Sequence, residues 1–136
     1  MREMAQEGGK VGRYEDGSDW VIGACIEVHR YLGPGLLEST YEECVSHELH
    51  LRGLRFERQR EVPLSYKGID LACSYRLDLV IDEALILEIK AVERLLPIHQ
   101  AQLLTYMRLT RISAGLLINF NVPTLKDGLR RLALPP

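Results

Sequence analysis

YRLDLVIDEALILEIKAVERLLPIHQAQLLTY, residues 75–106, decides how this chain is read. Two apolar runs, Tyr75–Asp82 and Ala84–Val92, are each interrupted by charge, and a helix-forming segment opens at Pro97. In a strand, alternate residues share a face. Tyr75, Leu77, Leu79 and Ile81 therefore point one way, and Arg76, Asp78, Val80 and Asp82 the other. In the second run Ala84, Ile86, Glu88, Lys90 and Val92 form one face, and Leu85, Leu87, Ile89 and Ala91 the opposite one. Glu88 and Lys90 are thus neighbours, roughly 7 Å apart along the strand. Asp82-Glu83 is a tight-turn signal between the runs, and a hairpin there brings Asp78 alongside Glu88.

Such a pair suits a hard divalent cation. Mg²⁺ takes oxygen ligands, usually only one or two carboxylates, and leaves the rest of its shell to water and substrate. Asp78, Glu88 and the backbone carbonyl of Ile89 are the candidate ligands, for Mg²⁺ or Mn²⁺. A bound metal lowers the pKa of water and offsets phosphate charge. Lys90 would orient the attacking water or stabilise developing charge. The same residue types also suit a solvated sheet edge, since charged residues on strands are usually exposed.

Asp78-x9-Glu88-x-Lys90 followed by Gln102-x3-Tyr106 resembles the core of the PD-(D/E)XK nuclease superfamily. Upstream, Gly35-Leu-Leu-Glu38-Ser-Thr-Tyr41 is similar to the pattern for which the small bacterial GxxExxY family is named. Leu77 stands where the superfamily's name has proline, a position that varies widely among such nucleases. The resemblance covers roughly Trp20 to Leu132. It implies a restriction-endonuclease-like α/β fold with Glu38 joining the metal site. It also implies that Gln102 and Tyr106 border that site and position substrate or Lys90. The substrate class implied is nucleic acid, DNA or RNA.

At 136 residues the chain can bury the core of one domain. A net charge of −2 exerts no global pull on nucleic acid, which argues against a DNA-coating protein but not against a nuclease with a local basic rim. Cys25, Cys44 and Cys73 are odd in number and widely spaced, so neither zinc nor a disulfide framework is indicated. Reduced thiols in a cytoplasmic setting fit best. No apolar run approaches the roughly eighteen residues that span a bilayer, so no membrane partner is expected. Residues 1–17 lack an apolar signal region and read as a flexible tail, with residues 18–136 forming a single domain.

Working outward, a first helix is expected from about Asp19 to Leu32, capped by Ser18 or Asp19, with Val21, Ala24, Cys25, Val28 and Leu32 buried. Glu27 and His29 read as surface residues. Gly33-Pro34-Gly35 ends that helix. A second runs from about Leu37 to Arg52 with Tyr41, Cys44, Val45 and Leu49 inward. Glu38 shares that face by spacing, while Glu42 and Glu43 turn to the flank or solvent. Glu38 could equally serve the helix dipole from the first turn. Tyr41 reads as a core ring whose hydroxyl finds a polar partner. Leu54–Tyr66 reads as a solvated edge strand whose arginines could also meet phosphates. Lys67-Gly68 makes a turn, and Tyr75 and Leu77 carry the next strand into the core.

After the Glu-x-Lys run, Pro97 starts a helix with Ile98, Ala101, Leu104 and Leu109 inward and Gln102 and Tyr106 projecting together. Tyr106 could also be simply a core aromatic and Gln102 a surface amide. His99, on the same flank, is a weaker catalytic candidate. Ser113–Asn121 is apolar enough to be a central strand, parallel to the Glu-x-Lys strand. Leu129–Leu134 closes the sheet or forms a helix.

The order contains an αβββαβ core, with a mixed central sheet flanked by helices on both sides. Three functions compete: a metal-dependent nuclease, a non-catalytic nucleic-acid- or protein-binding module, and a metal-dependent hydrolase of nucleotides or other phosphodiesters. A homodimer or a partner protein would supply the recognition surface that a domain of this size lacks.

Overall fold

The computed structural model describes residues 16–72 and 75–136. Cys73 and residues 1–15 of the expected tail lie outside them. The elements are helix α1 (Ser18–Leu32), helix α2 (Glu38–Leu51), strands β1 (Phe56–Val62), β2 (Ser65–Tyr66), β3 (Ile69–Asp70), β4 (Tyr75–Ile81) and β5 (Leu85–Lys90), helix α3 (Pro97–Thr110), strand β6 (Ala114–Asn119), a 3₁₀ turn (Leu125–Gly128) and strand β7 (Leu129–Ala133). The main sheet has the order β1-β4-β5-β6-β7. Among the described residues only β5 and β6 pair in parallel; the other neighbours in this sheet are antiparallel. A small β2–β3 ribbon stands apart from it.

This is the expected mixed α/β architecture, and the reason is visible strand by strand. Every residue of β6 is buried, as its unbroken apolar run requires of a strand covered on both faces. Along β5, Leu85, Leu87 and Ile89 pack with α1 and α2, while Ile86 packs with Leu103 and Met107 of α3. Asp82 and Glu83 both take left-handed conformations (φ 55° and 56°) and make the tight β4–β5 turn. Gly115 of β6 lets α3 lie close: a Cβ there would stand 2.8 Å from the Met107 sulfur and 3.1 Å from Leu103. The mostly exposed β1 is one sheet edge and β7 the other.

Several expectations are corrected. The α1 N-cap is Gly17 in a left-handed conformation, and the carboxylate of Asp16 just before it accepts the Ser18 N–H at 2.8 Å and pairs with Arg131 of β7. His29 is buried, its Nε2 lying 2.8 Å from the Val122 carbonyl, so it ties α1 to the loop after β6. On α2, Glu38 is exposed and Glu42 is buried, the reverse of the expected pair. On α3, Ile98, Ala101 and Leu109 are exposed; Leu103 and Met107 are the buried pair, with Leu104 packed beside them. Tyr75 stays half in solvent.

Tyr41 does what its type and spacing suggest. Its ring stacks on Phe120 at 4.6 Å. Its hydroxyl donates to the Gly33 carbonyl at 2.6 Å and accepts the Leu36 N–H at 3.1 Å, bracing the α1–α2 loop. Gly33 and Gly35 both sit at positive φ within that loop.

Candidate metal-dependent active site

The β4–β5 ladder pairs Ile81 with Leu85, Val80 with Ile86 and Leu79 with Leu87, and ends there. The next pair would be Asp78 and Glu88. Here the side chains take over the main-chain bonding. The Asp78 N–H donates to Glu88 Oε2 at 2.9 Å, and the Ile89 N–H donates to Asp78 Oδ2 at 2.8 Å. Each carboxylate is thus held by the opposite strand, and each has a second oxygen outside these bonds. The strand also shifts at this point. Leu79 and Ile81 face α1 and α2, but Leu77 packs with Val80 on the α3 side. The strict alternation expected from Tyr75 to Ile81 therefore breaks at Asp78. On the other flank Gln59 stands opposite Asp78, between the Arg58–Leu79 and Arg60–Leu77 pairs, with a left-handed φ of 54°.

Both carboxyls are harder to ionise than usual. Burial chiefly, then the neighbouring Asp78 charge, raises Glu88 to about 8. Burial also raises Asp78 to about 6, with Glu42 and Glu38 adding to the rise and the Ile89 hydrogen bond opposing it. Lys90 lowers both, yet it forms no ion pair within 4 Å among the described residues. Its backbone is fixed from two sides. The Lys90 carbonyl accepts the Phe120 N–H at 2.8 Å. Two residues on, Asn119 accepts the Val92 N–H at 3.0 Å and donates to the Val92 carbonyl at 2.9 Å.

The donor set fits a hard divalent cation. Two carboxylates converge from adjacent strands in a place where their own negative charge is poorly solvated, and a 2+ ion would relieve that. Among the described residues no three His, Cys, Asp or Glu side chains are arranged to hold a metal. Asp78, Glu88 and the Ile89 carbonyl could hold it, with water and substrate completing the shell, a division of ligands that Mg²⁺ favours.

The remaining site residues divide. Glu38 is exposed in the first turn of α2 but near enough for its charge to raise both Asp78 and Glu88. Tyr106 is partly buried, and burial, then Glu88, Tyr75 and Asp78, push its hydroxyl up. Its hydroxyl is thus near enough to feel both carboxylates. Gln102 is exposed, and among the described residues no hydrogen bond ties it to Asp78 or Glu88. His99 serves its own helix: its Nδ1 accepts the Leu96 N–H at 2.9 Å.

Sequence reasoning missed Glu42. Arg58 donates to it at 3.2 Å and the Gln59 amide at 2.9 and 3.0 Å. Glu42 thus links α2 to the β1 residue opposite Asp78. Its spacing from Ser46 and Leu49, both buried, was the available signal. The basic stretch of β1 is also less free than its composition suggests, because Arg55, Arg58 and Arg60 all pair with carboxylates.

Among the described residues no helix is long and apolar enough to cross a membrane. Comparison with curated proteins and with solved structures finds no match. The family model of the PD-(D/E)XK nuclease superfamily does match, over residues 15–132, from the start of α1 into β7, and the chain belongs to that superfamily.

Proposed function

We propose that this chain is a metal-dependent nuclease that hydrolyses phosphodiester bonds in DNA or RNA, with residues 18–136 acting as a single domain. The observation that carries the reading is the reciprocal hold of Asp78 and Glu88 on each other's strands, with Lys90 two residues beyond. Members of the superfamily generally use divalent metals. Asp78, Glu88 and the Ile89 carbonyl would bind Mg²⁺ or Mn²⁺, which supplies a water of lowered pKa and positive charge for a phosphate oxygen. Lys90, which forms no ion pair within 4 Å among the described residues, would offer its ammonium to charge that develops on phosphate oxygens. Glu38, exposed at the mouth, would reach the ion through water. Tyr106 would position substrate from α3, and Gln102, one turn earlier on that helix, would contact it from the exposed rim. The Gly35–Tyr41 pattern supports placing the chain among GxxExxY proteins. The free thiols Cys25 and Cys44 suit a cytoplasmic setting.

The test is incubation of wild type, Asp78→Ala and Lys90→Ala with mixed DNA and RNA in Mn²⁺, beside calorimetric Mn²⁺ titration. Cleavage by wild type alone is expected, with Mn²⁺ binding lost in Asp78→Ala and kept in Lys90→Ala. Metal binding without cleavage of any polymer would move the reading to a hydrolase of smaller phosphodiesters. Neither binding nor cleavage would leave a non-catalytic binding module.

A further inference from the structure

The sheet end that carries Lys90 also carries aromatic side chains the core does not use. Tyr75, the first residue of β4, is 45% exposed. Its ring lies 6.1 Å from that of Tyr106, tilted by 44°, and Tyr106 feels the charges of Glu88 and Asp78. Tyr75 pairs with Val62, the last residue of β1. Beyond that pair the chain runs on into the β2–β3 ribbon, where the Leu71 N–H meets the Leu64 carbonyl at 2.9 Å. Within the ribbon Tyr66 is 61% and Ile69 64% exposed, and the Lys67 ammonium sits 5.3 Å from the centre of the Tyr66 ring. Leaving such groups in water forgoes hydrophobic stabilisation, and exposed apolar clusters mark contact surfaces.

Cations outside ion pairs also lie here, although among the described residues Arg108 and Arg111 near the C-terminal end of α3 and Arg130 in β7 have no ion pair either. Arg52, Arg55, Arg58, Arg60 and Arg76 each face a carboxylate. Among the described residues Lys67, Lys90, Arg94 and Lys126 form no ion pair. They lie in the β2–β3 turn, at the end of β5, in the loop after β5 and in the 3₁₀ turn after β6. The register puts Lys90 at the sheet end where β1 and β6 finish and β4 begins, and Lys67, Arg94 and Lys126 lie in the segments that follow β1, β5 and β6 from that end. Cations outside ion pairs at the same sheet end as unburied tyrosines suit a ligand with a phosphate backbone and open aromatic faces.

We propose that Tyr75, backed by Tyr106 and extended by Tyr66 and Lys67 of the β2–β3 ribbon, forms a stacking platform that selects single-stranded nucleic acid. The choice of ligand rests on the nuclease reading above. A duplex hides its base faces between neighbouring pairs, so these tyrosines can stack only on unpaired bases. Stacking on an aromatic side chain contributes about 1–3 kcal/mol per base, whatever the base.

Fluorescence anisotropy with labelled dT20 and a 20-base-pair duplex, in EDTA so that no strand is cut, tests this. Wild type should bind the single strand more tightly. Tyr75→Ala should weaken that binding about 5- to 150-fold and leave duplex binding within about twofold. Tyr66→Ala should act in the same direction, and because its side chain is exposed it serves even if Tyr75→Ala folds poorly. Tyr75→Phe, which keeps the ring, should retain affinity. Arg108→Ala, on the exposed last turn of α3, should change neither. Tighter duplex binding by wild type, or single-strand affinity unchanged in Tyr66→Ala or in folded Tyr75→Ala, would overturn the platform. The nuclease reading is judged separately: selective single-strand binding by a wild type that cuts nothing in Mn²⁺ upholds the platform and removes the hydrolysis.

Discussion

Replacing Glu88 by Gln should make the metal-free protein more stable at pH 8 and change little at pH 5. Glu88 is 6% exposed, and its carboxyl is raised from the ordinary 4.5 to about 8. A raised acid pKa means that the native state holds a proton the unfolded chain has released. That stabilisation is fully present below pH 4.5 and is lost as pH rises toward 8 and beyond. At 1.36 kcal/mol per pKa unit, wild type should lose about 3 to 4 kcal/mol between pH 5 and pH 8 from this group. Asp78, raised to about 6, adds about 1 kcal/mol over the lower part of that window. The two titrate as a pair, so the assay should follow their joint behaviour.

A domain with roughly 5–15 kcal/mol of total stability would feel this as a large fraction. Urea titrations in EDTA at pH 5, 6, 7 and 8, on wild type and Glu88→Gln, provide the measurement. The amide keeps an oxygen for the Asp78 N–H but has no charge to bury. Taking the difference between the two proteins cancels, to first order, the titrating groups remote from the Asp78–Glu88 pair. With a slope of roughly 2 kcal/mol per molar urea, the wild-type midpoint should fall by nearly 2 M relative to the variant across the series. Saturating Mg²⁺ at pH 8 should then recover about 2.7 kcal/mol for wild type at 100 times the Kd, and nothing comparable for Glu88→Gln. A wild-type-minus-variant difference flat to about 0.5 kcal/mol from pH 5 to 8 would refute the buried-carboxylate reasoning.

Two further outcomes follow from packing. Tyr41→Phe removes the hydroxyl that joins the Gly33 carbonyl to the Leu36 N–H; thermal melts should show a loss of about 1–3 kcal/mol with the Phe120 stack retained. Gly128→Ala would place a Cβ 2.2 Å from the Asn119 carbonyl oxygen, a backbone atom that cannot swing away. Urea unfolding should show a loss of about 2 kcal/mol or more, with Lys90→Ala cleavage controls separating lost folding from lost chemistry, because Asn119 also holds the segment after Lys90.

What residue order alone determined about this chain is its local grammar: two strands around Asp82-Glu83, a buried β6, Pro97 opening α3, Gly33 and Gly35 breaking α1 from α2. Those signals are strong because side-chain period, turn conformation and proline chemistry act over a few residues. The opposition of Asp78 and Glu88 was legible for the same reason, since one tight hairpin leaves little choice of register. The helix faces were not. On α2, a stripe through Tyr41, Val45 and Leu49 leaves either neighbouring glutamate near the boundary, because successive residues differ by only about 100° around the axis. Which of Glu38 and Glu42 goes inside is decided by Arg58 and Gln59, which meet Glu42 from β1 and satisfy a charge that could not otherwise be buried. On α3, the closeness allowed by Gly115 selects Leu103 and Met107 over Ile98 and Leu109. Tertiary structure likewise decided that Leu77 turns toward α3: main-chain bonding yields to carboxylates at Asp78, and only the assembled strands bring both partners of that exchange together.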